Sequence, residues 1–474
     1  MSIEAKFYIG GHFIDGEQKQ NVLNKFTNEV CGIYPLADDE LVSMGLTSAC
    51  EALGATEAVP THKRADILDF ISYSLVQDET KFAQTIAIEA GKPIRQALAE
   101  VRRAQQTFRF AASCIRSNEG GSIRLDAAVG SENKYGFYFR VPAGIVVAIS
   151  PFNFPLNLVA HKIAPAIAAG CPVILKPASY TPLTAYLLAE IIAKSDLPYG
   201  AFNLIFGPGH SVGMSLVRSD LVRAISFTGS AEVGHEIAKS AGIKRLILEL
   251  GSNSAAIVEQ SCDLDNAISK ICKGAFSYSG QVCISVQRVF ISESIFDTFQ
   301  DKLISAASRI ISGNPLDEKS DIGPMISEND AQRVELLVEE AADNGAKIIL
   351  GGTRNGAFYE PTILTKTRPD MKVMKNEIFG PVVCLVPFRD FDEAIVMVND
   401  SAYGLQAGVF SKNIDNINQA IHKLKVGGVI INDAPTYRAD HMPYGGVKMS
   451  GLGREGLRYA IEELTDIRMI AIQR

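Results

Sequence analysis

The cysteine at position 283 stands in a setting that suits a nucleophile. It ends the segment GQVC at 280–283, and the run 277–281 before it is more polar than a core segment. A cysteine placed by such a loop can attack an electrophilic carbon, whereas most cysteines are small buried hydrophobes. Only the thiolate is nucleophilic, and a free thiol with a pKa of about 8.5 is only a few per cent ionised at neutral pH. Cys283 is therefore a candidate nucleophile that needs a base or a dipole beside it.

A second candidate is Glu249, which interrupts an apolar run at 246–250 just before Gly251. A carboxylate at the end of a buried strand is unfavourable unless it has a partner or a chemical task. Two interpretations stay open: a structural ion pair, or a general base whose pKa is raised by burial.

Asn153 is the third candidate, in the segment PFNFP at 151–155, where two prolines fix a turn directly after a predicted strand. Its amide could donate to a developing oxyanion. Asparagine is also common in turns for structural reasons alone, so by itself this residue is weak evidence.

Glycine-rich turns offer two candidates for phosphate binding, although the chain has no GxGxxG motif. Gly207, Gly209 and Gly213 follow one predicted strand, and Thr228-Gly229-Ser230 follows another, and each turn opens a helix. Backbone N–H groups and the helix dipole at either N-terminus could hold a pyrophosphate, with Ser230 as a cap. Such turns are more often simply turns, so both interpretations stay open.

Metal chemistry is not expected. The pair His235-Glu236 opens like a zincin helix, but Lys239 stands where the second histidine would be. The eight cysteines lie far apart with no CxxC pair. That pattern indicates reduced thiols in a cytoplasm, and neither a disulfide framework nor a zinc site.

Composition excludes several other classes of protein. With 474 residues, of which 47% are apolar and 21% charged, the chain has a globular composition, and its length suggests about two or three domains. A net charge of −7 argues against a nucleic-acid partner. The uncharged run 141–160 contains three prolines and two asparagines, which suits a buried strand and a loop. We therefore expect no membrane span and no signal peptide.

Strands and helices alternate along the chain, as is needed to position such residues. Predicted buried strands lie at 144–150, 172–176, 202–206, 224–227 and 245–250, and predicted helices at 156–169, 181–195, 211–218 and 231–241. Strands separated by helices of this length predict a parallel sheet with right-handed crossovers, covered on both faces.

The alternation restarts after Gly251 and predicts a second α/β domain. Its predicted strands lie at 255–259, 286–292, 348–350, 382–386, 407–410 and 429–432, separated by helices such as 295–311 and 392–398. A largely helical region at 43–117 precedes the first domain. A predicted hairpin occupies 122–128 and 134–141, and the tail at 467–472 alternates like an edge strand.

Seven motifs, in this order, resemble those of the aldehyde dehydrogenase superfamily over essentially the whole chain. They are PFNFP at 151–155, KPAS at 176–179, FTGS at 227–230, ELGS at 249–252, GQVCIS at 280–285, EIFGPV at 377–382 and PYGGVKMSGLGREG at 443–456. The overall pattern looks closest to members that act on lactaldehyde, phosphonoacetaldehyde or glyceraldehyde-type substrates.

The resemblance implies an α/β fold of two doubly wound parallel-sheet domains plus a small β element. A Rossmann-like dinucleotide-binding domain would take 1–119 and 142–251, and a catalytic domain would take 252–457. The β element, at 120–141 and 458–474, would mediate oligomerisation by pairing sheet edges across subunits. A homodimer or homotetramer is therefore implied.

The resemblance also implies a mechanism. Cys283 would attack an aldehyde whose oxygen is polarised by Asn153, hydride would pass to NAD or NADP, and water activated by Glu249 would hydrolyse the thioester. Lys162 and Glu455 resemble the proton-relay groups of the family. The residues that would bind the cofactor are Ser150, Pro151, Phe152, Lys176, Ser179, Gly207, Gly209, Gly213, Thr228, Gly229, Ser230, Val233, Leu250, Glu377 and Phe379.

Two positions depart from the family pattern. Many NAD-preferring members carry a glutamate where Ser179 stands, and that carboxylate repels a 2′-phosphate. We therefore expect NADP to be tolerated. Ser252 replaces the second glycine of the usual ELGG segment, and we have no account of that change.

The residues that would line the substrate tunnel are Phe154, Leu158, His161, Phe108, Arg109, Val282, Ile284, Tyr437, Arg438 and His441. Those predicted to contact the substrate are Arg109, Phe154, His161, Arg438 and His441. Their charge favours a polar or anionic aldehyde, although Val282 stands where several relatives carry an arginine. We expect short hydroxy- or carboxy-aldehydes as substrates, and Arg109 could instead form a surface or interdomain salt bridge.

Two rival functions stay open. Relatives that transfer the acyl group to CoA usually lack the base at the position of Glu249, so its presence favours hydrolysis. Structural proteins such as some lens crystallins also use this scaffold, but Cys283, Glu249 and Asn153 are all intact here.

Overall fold

The computed structural model describes residues 3–117 and 120–473 and places most strands in two large sheets. The first sheet has eight strands, in the spatial order Gly451–Leu452, Arg245–Glu249, Val222–Thr228, Ile145–Ile149, Val173–Lys176, Phe202–Leu204, Phe7–Ile9 and His12–Ile14. The five central strands are parallel, and the strands at both edges pair antiparallel. The predicted parallel α/β sheet is confirmed, with antiparallel edges that the alternation did not reveal.

The order of the strands reverses beside Ile145–Ile149. From this strand the chain continues to one side through Val173–Lys176, and later returns to its other side with Val222–Thr228. In open α/β sheets the crevice outside the carboxyl ends of the strands at such a reversal is where ligands bind. The loop after 145–149, which carries Asn153, therefore lies at the expected ligand position.

The second sheet has seven strands and is covered on both faces. Its spatial order is Lys347–Leu350, Thr362–Thr365, Val382–Phe388, Arg288–Ser292, Ala255–Val258, Gln406–Phe410 and Gly428–Ile431. All are parallel except the edge strand 347–350. Separate apolar clusters pack on its two faces, which explains why its strands read as continuous apolar runs.

Three small sheets complete the strands. The tail strand Thr465–Gln473 pairs antiparallel with Lys134–Pro142 along its whole length, and Gly121–Ile123 pairs with the other edge of that strand. The first strand of the predicted hairpin, 122–128, is shorter than expected. It covers only 121–123, since residues 125–127 form a 3₁₀ turn. The other two small sheets are Ile3–Glu4 with Val30–Pro35 and Lys19–Leu23, and Arg354–Asn355 with Phe358–Tyr359.

The helices cover these sheets and carry part of the site. They are Asp39–Glu51, Leu53–Glu57, Thr61–Gln77, Glu79–Ala90, Ile94–Arg116, Asn157–Ala169, Pro182–Ile192, Met214–Arg218, Ala231–Ser240, Leu264–Phe276, Phe296–Ala307, Glu328–Asp343, Lys372–Lys375, Phe391–Asn399, Ile414–Lys423 and Leu457–Glu463. A π-helical turn at Gly209–Gly213 precedes 214–218. Every residue of 157–169 is buried, as expected for a helix that is apolar all round.

One strand pairs across the predicted boundary between the two large domains. Strand Gly451–Leu452 falls within 252–457, yet it pairs with Arg245–Glu249 in the first sheet. The limits as a whole stay a prediction, and residues 1–2, 118–119 and 474 lie outside the described residues. Within the described ranges, no helix is long and apolar enough to cross a membrane, and no cluster of His, Cys, Asp and Glu side chains is arranged to hold a metal ion.

Candidate active site

The loop that carries Cys283 is held in an unusual backbone conformation. Tyr278, Ser279 and Gly280 all have positive φ, of 50°, 53° and 68°. The Tyr278 hydroxyl donates to Ala90 O at 2.7 Å, and the Ser279 hydroxyl donates to the carbonyl of residue 323 at 2.6 Å. A side chain at position 280 would meet a backbone oxygen at 2.0 Å, so only glycine fits there. Strain of this kind persists because the surroundings over-determine it.

The Cys283 thiol points at a tyrosine that the sequence did not single out. Its Sγ lies 3.3 Å from the hydroxyl of Tyr444. Burial raises the pKa of Cys283 to about 11, although the Tyr444 hydrogen bond and Arg438 oppose that rise. A sulfur with this pKa is mostly a thiol at neutral pH. Groups that stabilise the thiolate should therefore increase its reactivity.

Glu249 ends a buried strand and forms no ion pair with any described residue, although the charges of Arg438, Lys162 and Arg454 lower its pKa. Neither carboxylate oxygen makes a hydrogen bond with any described residue. Burial raises the pKa of Glu249 well above its ordinary value, and Glu455 adds to that rise. Of the two interpretations that the sequence left open, the structure shows no ion pair at this side chain, and a buried carboxyl of this kind is suited to accept a proton near neutral pH.

Asn153 and the cysteine loop are in direct contact. Asn153 Nδ2 donates to Gln281 O at 2.9 Å, two residues before Cys283, and its Oδ1 has no partner among the described residues. On the other side, Lys92 Nζ donates to Asn153 O at 2.6 Å and lies 3.8 Å from the centre of the Phe154 ring. Both the side chain and the backbone carbonyl of Asn153 are therefore held in place. The second N–H of Nδ2 has no partner among the described residues and could donate to a ligand.

Lys92 and Glu100 form a buried ion pair that the sequence analysis missed. The second oxygen of Glu100 accepts from the backbone N–H groups of Leu156 and Asn157, at 2.9 and 3.2 Å. It therefore satisfies the start of helix 157–169, where orphan N–H groups need an acceptor. Nothing in the local spacing of these residues predicts their contact.

Lys162 and Glu455 form the expected pair, buried inside the site. Lys162 Nζ donates to Glu455 at 3.0 Å and to the Thr228 hydroxyl at 2.6 Å. Glu455 also accepts from Arg438 Nη2 at 2.9 Å. Burial opposes ionisation of Glu455, but Lys162 and Arg438 outweigh it and lower its pKa to about 2. Glu455 is therefore a fixed anion.

Arg438 is engaged within the protein and is not free for substrate alone. Besides Glu455, its guanidinium stacks on the Tyr444 ring, 3.7 Å from the ring centre, and the side chain is 7% exposed. Its Nε has no partner within the described residues.

A second buried cluster surrounds Asp440. This carboxylate accepts from His161 Nε2 at 2.9 Å, from Arg103 at 2.7 and 3.1 Å and from Asn157 Nδ2 at 3.0 Å. Burial opposes ionisation of Asp440, but His161 and Arg103 lower its pKa far below the ordinary range. Burial and Arg438 lower the pKa of His161. The neutral ring thus donates through Nε2, and its Nδ1 is a buried acceptor with no partner among the described residues.

The other predicted substrate residues differ in where they lie: Phe154 lines a cleft, whereas His441 and Arg109 are exposed. Phe154 lines a cleft of about 960 Å³, together with Arg103 and residues of helices 264–276 and 296–307. His441 is exposed and packs on Phe110, with ring centres 4.7 Å apart. Arg109 lies on the exposed face of helix 94–116, more than a quarter-turn from the face that carries Arg103, and no hydrogen bond or ion pair involves it within 3–117 and 120–473. Arg103 is the arginine of this helix that contacts Asp440 and lines the cleft, and contact of Arg109 with the substrate stays a prediction.

The predicted cofactor residues gather at the carboxyl edge of the first sheet. Lys176 ends strand 173–176, and burial lowers its pKa to about 8. Burial raises the pKa of Glu377 to about 7, although the N–H of Ser252 donates to this carboxyl at 3.0 Å. The Ser150 hydroxyl is buried without a partner among the described residues. Buried polar groups left this way fit a ligand rich in hydroxyl groups, such as a ribose.

The remaining members of that set frame the same edge. Phe152 and Phe379 meet edge to face with ring centres 5.8 Å apart. The Ser230 hydroxyl accepts from Val233 N and caps helix 231–240, whose N-terminus opens here. Leu250 packs against this helix, and a side chain at Gly229 would press on the Phe227 ring. The others are in loops, at strand ends or in the π-helical turn 209–213 at this edge, and are Pro151, Ser179, Gly207, Gly209, Gly213 and Thr228. The residues present therefore fit a dinucleotide.

The chain is a member of the aldehyde dehydrogenase family, whose model matches residues 13–470. It is an NAD(P)-dependent aldehyde dehydrogenase. The relatives include a 3-sulfolactaldehyde dehydrogenase of Priestia megaterium, 44% identical over 98% of this chain and 97% of the relative. A lactaldehyde dehydrogenase of Methanocaldococcus jannaschii is 41% identical, over 98% of this chain and 100% of the relative.

Solved structures show the same fold. Aldehyde dehydrogenase 21 of Physcomitrella patens, in complex with its reaction product succinate, has a TM-score of 0.98 and 37% identity, over 100% of this chain and 99% of that one. A glyceraldehyde-3-phosphate dehydrogenase of Methanocaldococcus jannaschii, complexed with NADP, has a TM-score of 0.93 and 41% identity, over 97% and 100%. The predicted family, fold class and use of NAD or NADP are confirmed.

Proposed function

We propose that this enzyme oxidises short hydroxy- or carboxy-aldehydes to the acid, with Cys283 as nucleophile and water as the final acyl acceptor. The observation that carries the proposal is the buried, partnerless carboxyl of Glu249, next to the loop of the nucleophile. Such a group is unfavourable for folding and is useful as a base. It distinguishes hydrolysis from transfer of the acyl group to CoA, because only hydrolysis requires water to be deprotonated.

The first half of the reaction forms a bond from sulfur to carbon. The Cys283 thiolate adds to the carbonyl carbon, and the π electrons move to the oxygen. The free N–H of Asn153 Nδ2 and the backbone N–H of Cys283 donate to this oxyanion. When the C=O bond re-forms, a hydride leaves the carbon, and the bound nicotinamide supplies its acceptor. A thioester on Cys283 remains.

The second half releases the acid. Glu249 takes a proton from water as the water oxygen bonds to the thioester carbon, and the C–S bond then breaks with its electrons on sulfur. Glu249 can act only when it is ionised, so its raised pKa sets the acidic side of the pH profile. Lys162 and Glu455, predicted as a proton relay from the family resemblance, would act on Glu249 through their charges, because Lys162 lowers the pKa of Glu249 and Glu455 raises it.

Substrate choice would follow from two side chains that contact Asp440, of which Arg103 also lines the cleft. His161 Nδ1 is a bare acceptor and suits a substrate hydroxyl, while the part-exposed guanidinium of Arg103 suits an anionic tail. The Arg103 guanidinium lies 5.9 Å from the centre of the Phe154 ring, and both side chains line the cleft. The names of the relatives, which include sulfolactaldehyde and lactaldehyde, and the succinate complex of the plant enzyme support the same class of substrate.

Three further proposals rest on the sequence and its family. Ser179 is exposed and brings no carboxylate to the cofactor edge, so both NAD and NADP should serve. Strand 465–473 is the outer strand of its three-stranded sheet, and Ile467 and Met469 on it are exposed, which supports a homodimer or homotetramer formed through this edge. The eight free cysteines support a reducing, cytoplasmic location.

The test is a panel of aldehydes with both cofactors, followed by the absorbance of the reduced nicotinamide. Lactaldehyde, 3-sulfolactaldehyde and succinic semialdehyde should outperform hexanal in kcat/KM. C283S should be inactive, while C50S, which changes a half-buried cysteine on helix 39–51, should match the wild type. Full activity of C283S, or formation of acyl-CoA in place of the acid when CoA is added, would refute the proposal.

A further inference from the structure

Tyr444 lies directly against the reacting sulfur. Its hydroxyl is 3.3 Å from Cys283 Sγ, and the ring is buried. Within residues 3–117 and 120–473 this is the one hydrogen bond made by either side chain. A buried phenol whose hydroxyl meets only the nucleophile is placed to affect that nucleophile's chemistry.

The position of the phenol is fixed from two sides. The backbone of Tyr444 exchanges two hydrogen bonds with that of Glu455, of 3.0 and 2.7 Å. Arg438 covers one face of the ring, with its guanidinium carbon 3.7 Å from the ring centre, and is itself tied to Glu455. The hydroxyl therefore has little freedom to turn away from the sulfur.

The protonation state of the sulfur decides which atom donates. A thiol can donate to the phenol oxygen or accept from its O–H, but a thiolate can only accept. Hydrogen bonds to an ionised partner are shorter and stronger than those between neutral groups. The contact is therefore worth more in the thiolate form, and removal of the hydroxyl penalises that form selectively.

We propose that Tyr444 is a catalytic residue whose hydroxyl donates its hydrogen bond to the Cys283 thiolate, stabilising and aiming the sulfur before the aldehyde arrives. In the addition step a sulfur lone pair forms the bond to the carbonyl carbon, the π pair moves to the carbonyl oxygen, and the phenolic proton stays on Tyr444. Arg438 over the ring draws electron density from it and strengthens the O–H as a donor. The proposal rests on the proposed function of Cys283.

The charged groups around the thiol oppose one another. Glu377 and Glu249 disfavour the thiolate, and Arg438 favours it. The Tyr444 hydroxyl, 3.3 Å from the sulfur, is a neutral donor. Removing its single oxygen atom tests this contact without changing any of the charges around Cys283.

The test measures alkylation of Cys283 by iodoacetamide as a function of pH, without aldehyde or cofactor, with the modified cysteine identified by peptide mass mapping. Y444F keeps the ring and its stack on Arg438. We expect its profile to shift upward by about one pH unit, so that alkylation below the midpoint is about ten-fold slower. Y73F, which removes a hydroxyl from an exposed ring on helix 61–77, should reproduce the wild-type profile.

Two results would overturn the proposal, and they are distinguishable. Coincident profiles for Y444F and the wild type, with C283S inactive, would refute the role of Tyr444 alone and leave it as a packing residue. Aldehyde oxidation at the wild-type rate by C283S would refute the proposed function, whatever the profiles show. The pH profile of kcat/KM should show the same upward shift in Y444F, and its thermal unfolding should stay near that of the wild type.

Discussion

Two regions of the candidate active site differ in whether their buried polar atoms have partners. Around Glu455 every charge has a partner, because Lys162 and Arg438 both donate to it. Around Glu249 and Asn153, oxygen atoms are buried with no partner among the described residues. The first arrangement lowers a carboxyl pKa to about 2, and the second raises one well above its ordinary value. The paired region is a permanent charge distribution, whereas the unpaired region is left ready to exchange protons and hydrogen bonds with a ligand.

The largest expected effect falls in the unpaired region. E249Q should lower steady-state turnover by about 100- to 10,000-fold, the usual range for loss of a general base. The first turnover should still release reduced cofactor, because the base is needed for hydrolysis. Rapid-mixing kinetics would show this as a burst followed by a stall. E236Q, which changes an exposed glutamate on helix 231–240, is the matched control and should behave as wild type.

E249Q also tests the comparison through the pH dependence of thermal stability. A carboxyl whose pKa is higher in the folded than in the unfolded state makes stability fall as pH rises above the unfolded value, because the folded state then binds more protons. E249Q should therefore unfold at a higher temperature than the wild type at neutral and alkaline pH, with the difference shrinking toward pH 4. An inactive E249Q that is less stable than wild type at every pH would contradict the comparison.

Asn153 comes next. Loss of one oxyanion donor costs about 3–4 kcal/mol of transition-state stabilisation, so N153A should lower kcat by about 100- to 1,000-fold. KM should change much less. Steady-state kinetics decide this, and a loss confined to KM would assign Asn153 to substrate binding.

In the paired region the main effect should be on stability. Removing one partner of a buried ion pair destabilises a protein by about 3–5 kcal/mol, so E455Q should lower the free energy of unfolding by an amount of that order. Loss of this anion also removes one cause of the raised pKa of Glu249. The acidic limb of the kcat profile should therefore move to lower pH. A stable E455Q with an unmoved limb would show that the two regions are independent.

The smallest effect concerns the rim of the cleft. R103A should raise KM for carboxy- or sulfo-aldehydes by about 10- to 100-fold, as expected for a lost charged hydrogen bond, and leave KM for neutral hydroxy-aldehydes nearly unchanged. R109A, on the exposed face of the same helix, is the matched control. Equal changes in KM for the two variants would show that Arg103 does not select substrates with an anionic tail.

The contrast between the regions also explains what sequence could predict. Cys283, Glu249 and Asn153 lie in short local patterns at strand ends or tight loops, which made them candidates, and the family motifs around them then predicted their roles. Asp440 and Arg103 meet across 337 positions of the chain, and no local pattern encodes that contact. The face that helix 94–116 turns toward the site depends on packing, so the sequence did not show that Arg103 contacts Asp440 while Arg109 is exposed.

The fold shows the same limit. The parallel cores of both large sheets follow from buried apolar runs and the helices between them. The strands that were missed, such as Thr362–Thr365 and Gly451–Leu452, are short and are defined by their neighbours in space. Their apolar content alone is too small to predict pairing.

The pair Lys92–Glu100 has a consequence for the size of molecule that reacts well. Glu100 and Arg103 are three residues apart and lie on one side of helix 94–116. Under the proposed function, Lys92 links Glu100 to Asn153, which would donate to the carbonyl oxygen, and Arg103 lines the cleft and would hold the tail. This helix would then set the span between the two ends of the substrate. Aldehydes with a tail one carbon too short or too long would forgo one of the two contacts, so we expect chain length to affect kcat/KM.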